Sequence, residues 1–323
     1  MSSKTMQALV FKVQYEAPDI VSIELRPDNP ENAFPIVEAG AHIDLHLGNG
    51  LVRSYSLTNP GDTDRYVVAV LKDRRSRGGS TYVHEKLRIG QVVSIGVSRN
   101  YFKLDETVTM SVLLAGGIGI TPIYAMLKRL SVLKRNATLI YCARSRVEAA
   151  FVAQIQTLVD ASGTDLAVIF HFDDEHGGPP NLEQLLGGYA KDTHFYCCGP
   201  APMLDAYEQA CERLGQHHVH LERFEATGIP SEEVAEGYAV ELKKSGRTVW
   251  VEPGIALLDA LIEVGIRPDF NCREGVCGAC ETRVISGDVI HRDHILTKQE
   301  WSANKSMMIC VSSCRTGRLV LDI

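Results

Sequence analysis

Across residues 6–106 apolar and polar positions alternate with a period of two. Ile43, Leu45 and Leu47 are separated by Asp44 and His46, the pattern of a strand with one buried face. Leu51–Leu57, Tyr66–Leu71 and Gly90–Val97 read as further strands, and Asn59-Pro60-Gly61-Asp62 supplies turn chemistry between two of them. Many short strands with a turn every dozen residues predict a small antiparallel barrel. After Asp105 the period changes. Met110–Ala115 is a continuous apolar run, and Ile123, Met126, Leu127, Leu130 and Leu133 then recur at helical spacing. The alternation continues: strand Thr138–Ala143, helix around Glu148–Val159, strand Leu166–Phe172, helix around Leu182–Tyr189, strand His194–Cys198, helix Pro202–Leu214. Strands alternating with helices predict a parallel sheet covered on both faces.

Glu225–Gly237 breaks this pattern with four glutamates, a proline, two glycines and no basic residue, and reads as a linker. Beyond it, Tyr238–Lys243 and Thr248–Glu252 flank Lys244-Ser245-Gly246-Arg247 as a hairpin, Ile255–Val264 is a short amphipathic helix, and Arg318–Ile323 ends the chain as a strand. The expected division is therefore 1–106, 107–226, a linker at 227–237, and 238–323.

The last segment carries the strongest chemical signal. Cys272, Cys277, Cys280 and Cys310 are spaced C-x4-C-x2-C…C, the order of thiolates that a plant-type [2Fe–2S] cluster requires. Gly275, Gly278 and Ala279 suit a loop that folds over such a cluster, because glycine allows the backbone angles that turn N–H groups towards sulfur. Zinc is the plainer rival, but structural zinc sites pair two short knuckles, and here the second half is a lone cysteine.

Composition narrows the rest. The chain has 323 residues, 45% of them hydrophobic, enough for two or three compact domains. Its net charge of −7, with no Lys/Arg-rich stripe, argues against nucleic acid as a partner. Cys142, Cys197, Cys198, Cys211 and Cys314 show no disulfide-like spacing and are expected as small buried hydrophobes. No hydrophobic leader follows the N-terminus and no run approaches the roughly 20 apolar residues of a membrane span, so the expected setting is the reducing cytoplasm.

Two further sites read as binding surfaces. Arg53-Ser54-Tyr55-Ser56 lies on a strand. An arginine fork matches a phosphate, a tyrosine face can stack on a flat ring, and a serine hydroxyl can bond a ring nitrogen. Alternation sets Arg53 and Tyr55 on one face, although a surface arginine beside a strand tyrosine is the plainer reading of four residues alone. Arg77-Gly78-Gly79-Ser80 precedes a helical segment, Thr81–Leu87, where backbone N–H groups can receive a phosphate. In the second domain the first strand runs into Gly116-Gly117-Ile118-Gly119-Ile120-Thr121-Pro122, with Pro122 suited to a first helical turn. This is not G-x-G-x-x-G, but its glycines allow a pyrophosphate to approach the strand end. Cys198-Gly199-Pro200 closes the fourth strand at the same edge; packing alone would explain Cys198.

Together, Arg-x-Tyr-Ser, Gly-Gly-Ile-Gly-Ile-Thr-Pro, Cys-Gly-Pro and a C-terminal plant-type ferredoxin segment, in this order, resemble the phthalate dioxygenase reductase family over essentially the whole chain. The resemblance implies a flavin-binding barrel, an NADH-binding α/β domain and a β-grasp ferredoxin domain. It implies FMN contacts from Arg53, Ser54, Tyr55 and Ser56, a ring lining from Ala69, Val70 and Leu71, and a phosphate site at Arg77, Gly78, Gly79 and Ser80. Gly117, Gly119 and Cys198 would border the nicotinamide, Thr121 would reach the flavin and Phe224 would pack near it. Ser56, Thr121 and Cys198 form the expected catalytic set. Arg144-Ser145-Arg146 stands after the second strand, where a carboxylate often reads the adenosine ribose, so NADPH use stays open beside NADH. Asp173 and Asp174 are a possible compensating carboxylate or a solvated turn. His291-Arg292-Asp293 looks like a kinase catalytic loop, but Lys298 stands where the metal-binding Asn would be and no kinase glycine loop exists.

A nicotinamide gives up two electrons at once and a [2Fe–2S] cluster takes one, so a flavin between them is expected. The expected function is a reductase component passing electrons from NADH through FMN and the cluster to a Rieske-type terminal oxygenase. Plant-type clusters lie near about −400 mV and Rieske centres at roughly −150 mV or above, a downhill step of about four decades at ~59 mV each. The rivals are a stand-alone NAD(P)H-dependent flavin or ferric reductase with an auxiliary cluster, and a redox-sensing binding protein.

Overall fold

The computed structural model describes residues 5–163, 165–226 and 236–323. The chain divides into two compact units, Lys4–Arg223 and a second that takes in Phe224–Ile323. The predicted linker falls, at 227–235, outside the described residues.

The first unit begins with β1 (Thr5–Ala17), β2 (Ile20–Pro27), β3 (His42–His46), β4 (Val52–Ser56), β5 (Tyr66–Leu71), α1 (Gly79–Glu85) and β6 (Val92–Gly96). The sheet order is β4-β3-β6-β1-β2-β5, with every pairing antiparallel. Just past β4 the chain bridges Leu57 to Val68 on β5, which joins the two outer strands and closes the barrel. Alternation explains its core: Ile23, Leu25, Ile43, Leu45 and Ile95 are fully buried, each worth about 1.5–3 kcal/mol over exposure.

The chain then runs through β7 (Met110–Gly116), a 3-10 turn (Gly117–Gly119), α2 (Ile120–Leu133), β8 (Asn136–Ala143), α3 (Val152–Ala161), β9 (Leu166–Phe172), α4 (Asp173–His176), α5 (Leu182–Leu186), β10 (His194–Cys198), α6 (Ala201–Arg213) and β11 (Val219–Glu222). The sheet is parallel in the order β11-β10-β7-β8-β9. Strand order reverses between β7 and β10, and the crevice beyond their C-terminal ends is where ligands of such sheets bind. The barrel and this sheet share a core: Ala17, Ile20, Ala69 and Phe102 from the barrel belong to one buried cluster with Ile120, Ile123 and Tyr124 of α2.

Helix α3 starts four residues later than the periodicity predicts. Phe151 adopts φ 63° and stacks on Tyr124 at 5.2 Å, so side-chain packing holds residues 148–151 in a turn. Helix α5 stops at Leu186 because Gly187 follows in extended backbone and Gly188 has φ 83°.

The second unit contains β12 (Tyr238–Leu242), β13 (Arg247–Val251), α7 (Leu257–Glu263), β14 (Glu281–Ser286), β15 (Val289–Ile290), α8 (Lys298–Ala303), β16 (Ser306–Met308), β17 (Ser313–Cys314) and β18 (Arg318–Leu321). The sheet runs β13-β12-β18-β14-β16, with β12 parallel to β18 and antiparallel to β13, a β-grasp arrangement with α7 on its core. A capping box between Thr297 and Glu300 starts α8.

Candidate functional site

Strand alternation turns Arg53 and Tyr55 to one side of β4 and Ser54 and Ser56 to the other. The Arg53 guanidinium lies over the turn before α1, with Nη2 3.3 Å from the Arg77 carbonyl and Nη1 2.8 Å from that of Val52. Glycine lets it lie that close, since a Cβ at residue 79 would fall 2.6 Å from Arg53 Cγ and push the side chain away. Gly78 has φ 90°, which opens the helix in a conformation other residues resist. Ser76 Oγ accepts from the Gly78 and Thr81 amides and from Ser80 Oγ, so this serine shapes the turn that sequence reading assigned to its glycines.

Ser54 is tied inward. Its hydroxyl donates to Asp44, whose carboxylate also receives both 2.8 Å contacts from Arg99. Ser56 is different: its Oγ is buried and has no hydrogen-bond partner. A buried orphan hydroxyl asks for a ligand atom. Tyr55 is packed against the barrel core, and burial pushes its hydroxyl up to about 12, so it stays a neutral flat ring. On β5, Ala69 and Val70 are buried and Leu71 is half-exposed, while the Val70 carbonyl bonds His84. Arg53 over its glycine cradle, with Tyr55 on the same face of β4, fits a phosphate-bearing flavin.

At the crevice, Gly119 packs so tightly on β10 that a Cβ there would meet the Cys198 carbonyl and come 2.7 Å from the Gly199 nitrogen. Gly117, at φ 53°, faces open space. Thr121 is buried, and its hydroxyl donates to the Ile118 carbonyl at 3.1 Å. Cys198 is fully buried, and burial raises its thiol well above the usual range, so it is neutral there. The fold thus brings Gly117, Gly119, Thr121 and Cys198 to one strand edge, and Ala69 shares the buried cluster with Ile120 and Cys198.

Glu222 escaped the sequence reading. It ends β11 in register with Cys198, its Oε2 is buried without a partner, and burial pushes its carboxyl up to about 8. It therefore carries a proton at neutral pH. The signal was the alternation in Val219-His220-Leu221-Glu222, too short to register as a strand.

After β8, where the sequence reading looked for a ribose contact, the arginines are already paired. Arg144 meets Glu148 at 2.9 Å and Arg146 meets Glu175 at 3.0 Å, while the Asp174 amide donates to the Arg144 carbonyl. Asp173 opens α4 beside them. Four carboxylates against two guanidiniums leave this corner net negative.

In the second unit the four predicted cysteines converge. The Cys272 thiol hydrogen-bonds those of Cys277 and Cys310, and Cys280 bonds Cys310. These bonds, led by the one from Cys277, draw the Cys272 thiol far below its ordinary range and push Cys277 and Cys310 up. Backbone amides point at sulfur as well: Glu274 N lies 3.3 Å from Cys272 Sγ, and Cys272 N lies 3.5 Å from Cys277 Sγ. Gly275 and Gly278 have φ 69° and 70°, which makes that inward turn possible. Among the described residues no group of three or more His, Cys, Asp or Glu side chains is arranged to hold a single metal ion. A binuclear cluster asks only two thiolates of each iron. The donor set fits it. Phe224 opens the second unit and is 40% exposed. Among the described residues no helix is long and apolar enough to cross a membrane.

A sulfur quartet, a parallel sheet with an open switch-point crevice and a closed barrel define a nucleotide-dependent iron–sulfur oxidoreductase. Residues 113–209 match the oxidoreductase NAD-binding domain and residues 240–316 the 2Fe-2S iron-sulfur cluster binding domain. The chain is 41% identical to the phenoxybenzoate dioxygenase subunit beta of Ectopseudomonas oleovorans, over 97% of this chain and 96% of that one. Its fold is similar to that of an intact type IV self-sufficient cytochrome P450 monooxygenase (TM-score 0.90, 36% identity), covering 99% of this chain and 41% of that one. It is also similar to phthalate dioxygenase reductase (TM-score 0.69, 31% identity), covering 99% and 98%. The chain belongs to the phthalate dioxygenase reductase-like family, which includes relatives named as reductase components of oxygenase systems.

Proposed function

We propose that this chain takes electrons from NADH through FMN to a [2Fe–2S] cluster and delivers them to a Rieske-type terminal oxygenase in the cytoplasm. In this reading residues 1–106 carry the flavin, 107–226 the nucleotide and 238–323 the cluster. The observation that carries it is the convergence of four thiols from two separate segments, in a chain whose barrel also sets Arg53 over a glycine turn. When bound, the flavin supplies the exchange between paired and single electrons, and the cluster accepts them singly.

The chain's own residues bind and orient. Arg53 and the Arg77–Ser80 turn hold the phosphate. Tyr55, on the Arg53 face of β4, would offer its flat ring to the flavin, and the unpartnered Ser56 hydroxyl at the strand's end would be a candidate donor to it. Gly117 leaves room for the nucleotide, while Thr121 and Cys198 border the nicotinamide as small neutral groups. The net-negative corner at Glu148, Asp173, Asp174 and Glu175 favours a ribose hydroxyl over a 2′-phosphate, and so NADH over NADPH.

The test is Cys277→Ser, which removes one cluster ligand. Bleaching of the flavin by NADH in stopped flow should persist, while reduction of cytochrome c or of a purified Rieske oxygenase should stop. Fast cytochrome reduction by the cluster-free variant would refute the proposed order. Turnover with ferric chelates that gains nothing from any oxygenase would favour a stand-alone reductase. Reduction of a P450 haem, but of no Rieske protein, would move the acceptor towards the kind of protein seen in the self-sufficient monooxygenase.

A further inference from the structure

His291-Arg292-Asp293 has no part in the electron path just described, yet it lies between the two segments that supply the cluster ligands. Its approach is fixed by β15, where Ile290 pairs with Ser313 of β17, three residues beyond Cys310. The Arg292 amide then donates to Ser312 Oγ at 3.2 Å, and the Ser312 amide donates to the Met308 carbonyl at 2.9 Å. This side of the tripeptide is thus bonded to the turn that presents Cys310.

Its other side bears on the three-cysteine loop. The His294 amide donates to the Gly275 carbonyl at 2.9 Å. Gly275 lies so close that a Cβ there would come 3.1 Å from Asp293 Cα and 2.8 Å from Val311 Cγ2. A residue midway between Cys272 and Cys277 therefore rests on Asp293 and on the neighbour of Cys310 at once.

Asp293 sets the shape of this contact. Its side chain is fully buried, and Oδ1 accepts from the amides of Ile295 at 3.1 Å and Leu296 at 2.7 Å. That is an Asx-type turn, in which a short carboxylate organises the backbone after it. The turn aims the His294 amide at Gly275. The His291 ring lies flat on Trp301 of α8, 5.6 Å between centroids and 5° from parallel, with Nδ1 3.6 Å from Asp293 Oδ2. Neither ring nitrogen has a hydrogen-bond partner, nor does Oδ2. Buried polar groups this poorly satisfied cost stability and call for an explanation.

We propose that His291-Arg292-Asp293 is a strut that keeps the Cys272–Cys280 loop and the Cys310 turn in register, with Asp293 as its positioning residue. The proposal rests on those four cysteines holding a cluster. Groups behind a metal's own ligands commonly alter its retention by about 10–100-fold when removed.

The experiment uses the full-length protein as purified, carrying its cluster. Release of iron to an excess of chelator is followed by loss of the visible chromophore, and the reduced cluster is examined by electron paramagnetic resonance. Asp293→Ala, which removes the turn's acceptor, should shorten the release half-life about tenfold and broaden the resonance. Asp293→Asn keeps an oxygen for the same two amides and should stay within about twofold of wild type in release. An alanine variant that matches wild type in both readouts overturns the strut, as does an asparagine variant that loses iron as fast as the alanine one. Should the alanine variant not fold, Ser312→Ala removes only the bond from Arg292. It should shorten release in the same direction by a smaller factor, and no change there also overturns the proposal. A wild-type protein without any iron–sulfur chromophore refutes the cluster reading itself, before any variant is compared.

Discussion

Arg53 shows how one side chain can be pre-set for a ligand. A guanidinium carries five N–H donors in a rigid fork, and here two groups of that fork point at the carbonyls of Val52 and Arg77. Those bonds fix the fork's plane beside the Gly78-Gly79 turn, so little side-chain freedom remains to be lost when a phosphate arrives. Hydrogen bonds to a charged group are worth about 1.5–3 kcal/mol, or roughly 10–100-fold in affinity. Arg53→Ala should therefore weaken FMN binding by that order, with flavin lost on gel filtration, and Arg53→Lys should fall between because a point charge cannot supply the fork. Flavin retained as in wild type by the alanine variant would reject the phosphate role. The pairing of Arg53 with Tyr55 was legible because it depends only on the two-residue period of a strand. The fate of Ser54 was not, since its partner Asp44 and the Arg99 that holds Asp44 come from two other strands' surroundings. Glu222 stayed hidden for a similar reason: nothing local distinguishes a carboxyl that tertiary packing will bury.

Strands β10 and β11 carry a histidine cluster at the end of the sheet opposite the nucleotide crevice. His194 stacks on His218 at 4.3 Å, and His220 stacks on Tyr196 at 4.5 Å with its Nε2 3.3 Å from His194 Nδ1. Burial first, then the neighbouring His194 and His218, lowers His220 to about 4, and burial followed by His218 lowers His194. Asp105 acts in the opposite direction on both, and Asp192 on His194. A base whose folded-state pKa lies below its unfolded one costs nothing above pH ~6.5. Between that pH and about 4 the unfolded chain binds the extra proton, and stability falls. With His220 partly solvated, the penalty is on the order of 2 kcal/mol. His220→Phe keeps a ring against Tyr196 and removes the titration. Between pH 7.5 and 5.0 the first unit's Tm should fall by about 5 °C less in the variant than in wild type, and equal falls would exclude the cluster as the cause. This element scale is also where the sequence was most and least readable. Strands Leu166–Phe172 and His194–Cys198 were legible to the residue because each is a short, largely apolar run between helical segments, although only the second is buried along nearly its whole length. β11 and the short pieces β14 to β17 were not, because two to six residues hold too few periods to separate from loop. Phe151 moved the start of α3 through a contact with Tyr124 that no local pattern contains.

The molecule as a whole is built from two units with separate cores, and that division has thermodynamic consequences. Ala69 and Phe102 of the barrel are buried in one cluster with Ile120, Ile123 and Tyr124, and Lys128 on α2 donates to the Thr58 carbonyl at 3.0 Å. Barrel and parallel sheet therefore melt together. The second unit keeps its own core, from Tyr238 and Val240 through Leu257 and Leu261 to Met307 and Leu321, with Cys280 and Cys310 among it. Ligands that bind only a folded unit stabilise that unit alone, by about 2.7 kcal/mol at a hundredfold excess over Kd. For the larger unit, Lys4–Arg223, that raises Tm by roughly 5–10 °C. Calorimetry of the full chain should show two transitions: added FMN or a non-reducing NADH analogue should raise one, and stripping iron with a chelator should lower the other. The cluster's contribution follows from its ligands, because Cys272, Cys277 and Cys280 sit on a loop and Cys310 on a distant turn, so bound iron would add to the contacts through Gly275, Asp293 and Ser312 that already join the two. A single transition that both treatments move would mean that the two cores unfold as one, and would remove the basis for treating nucleotide oxidation and cluster reduction as the work of separable parts.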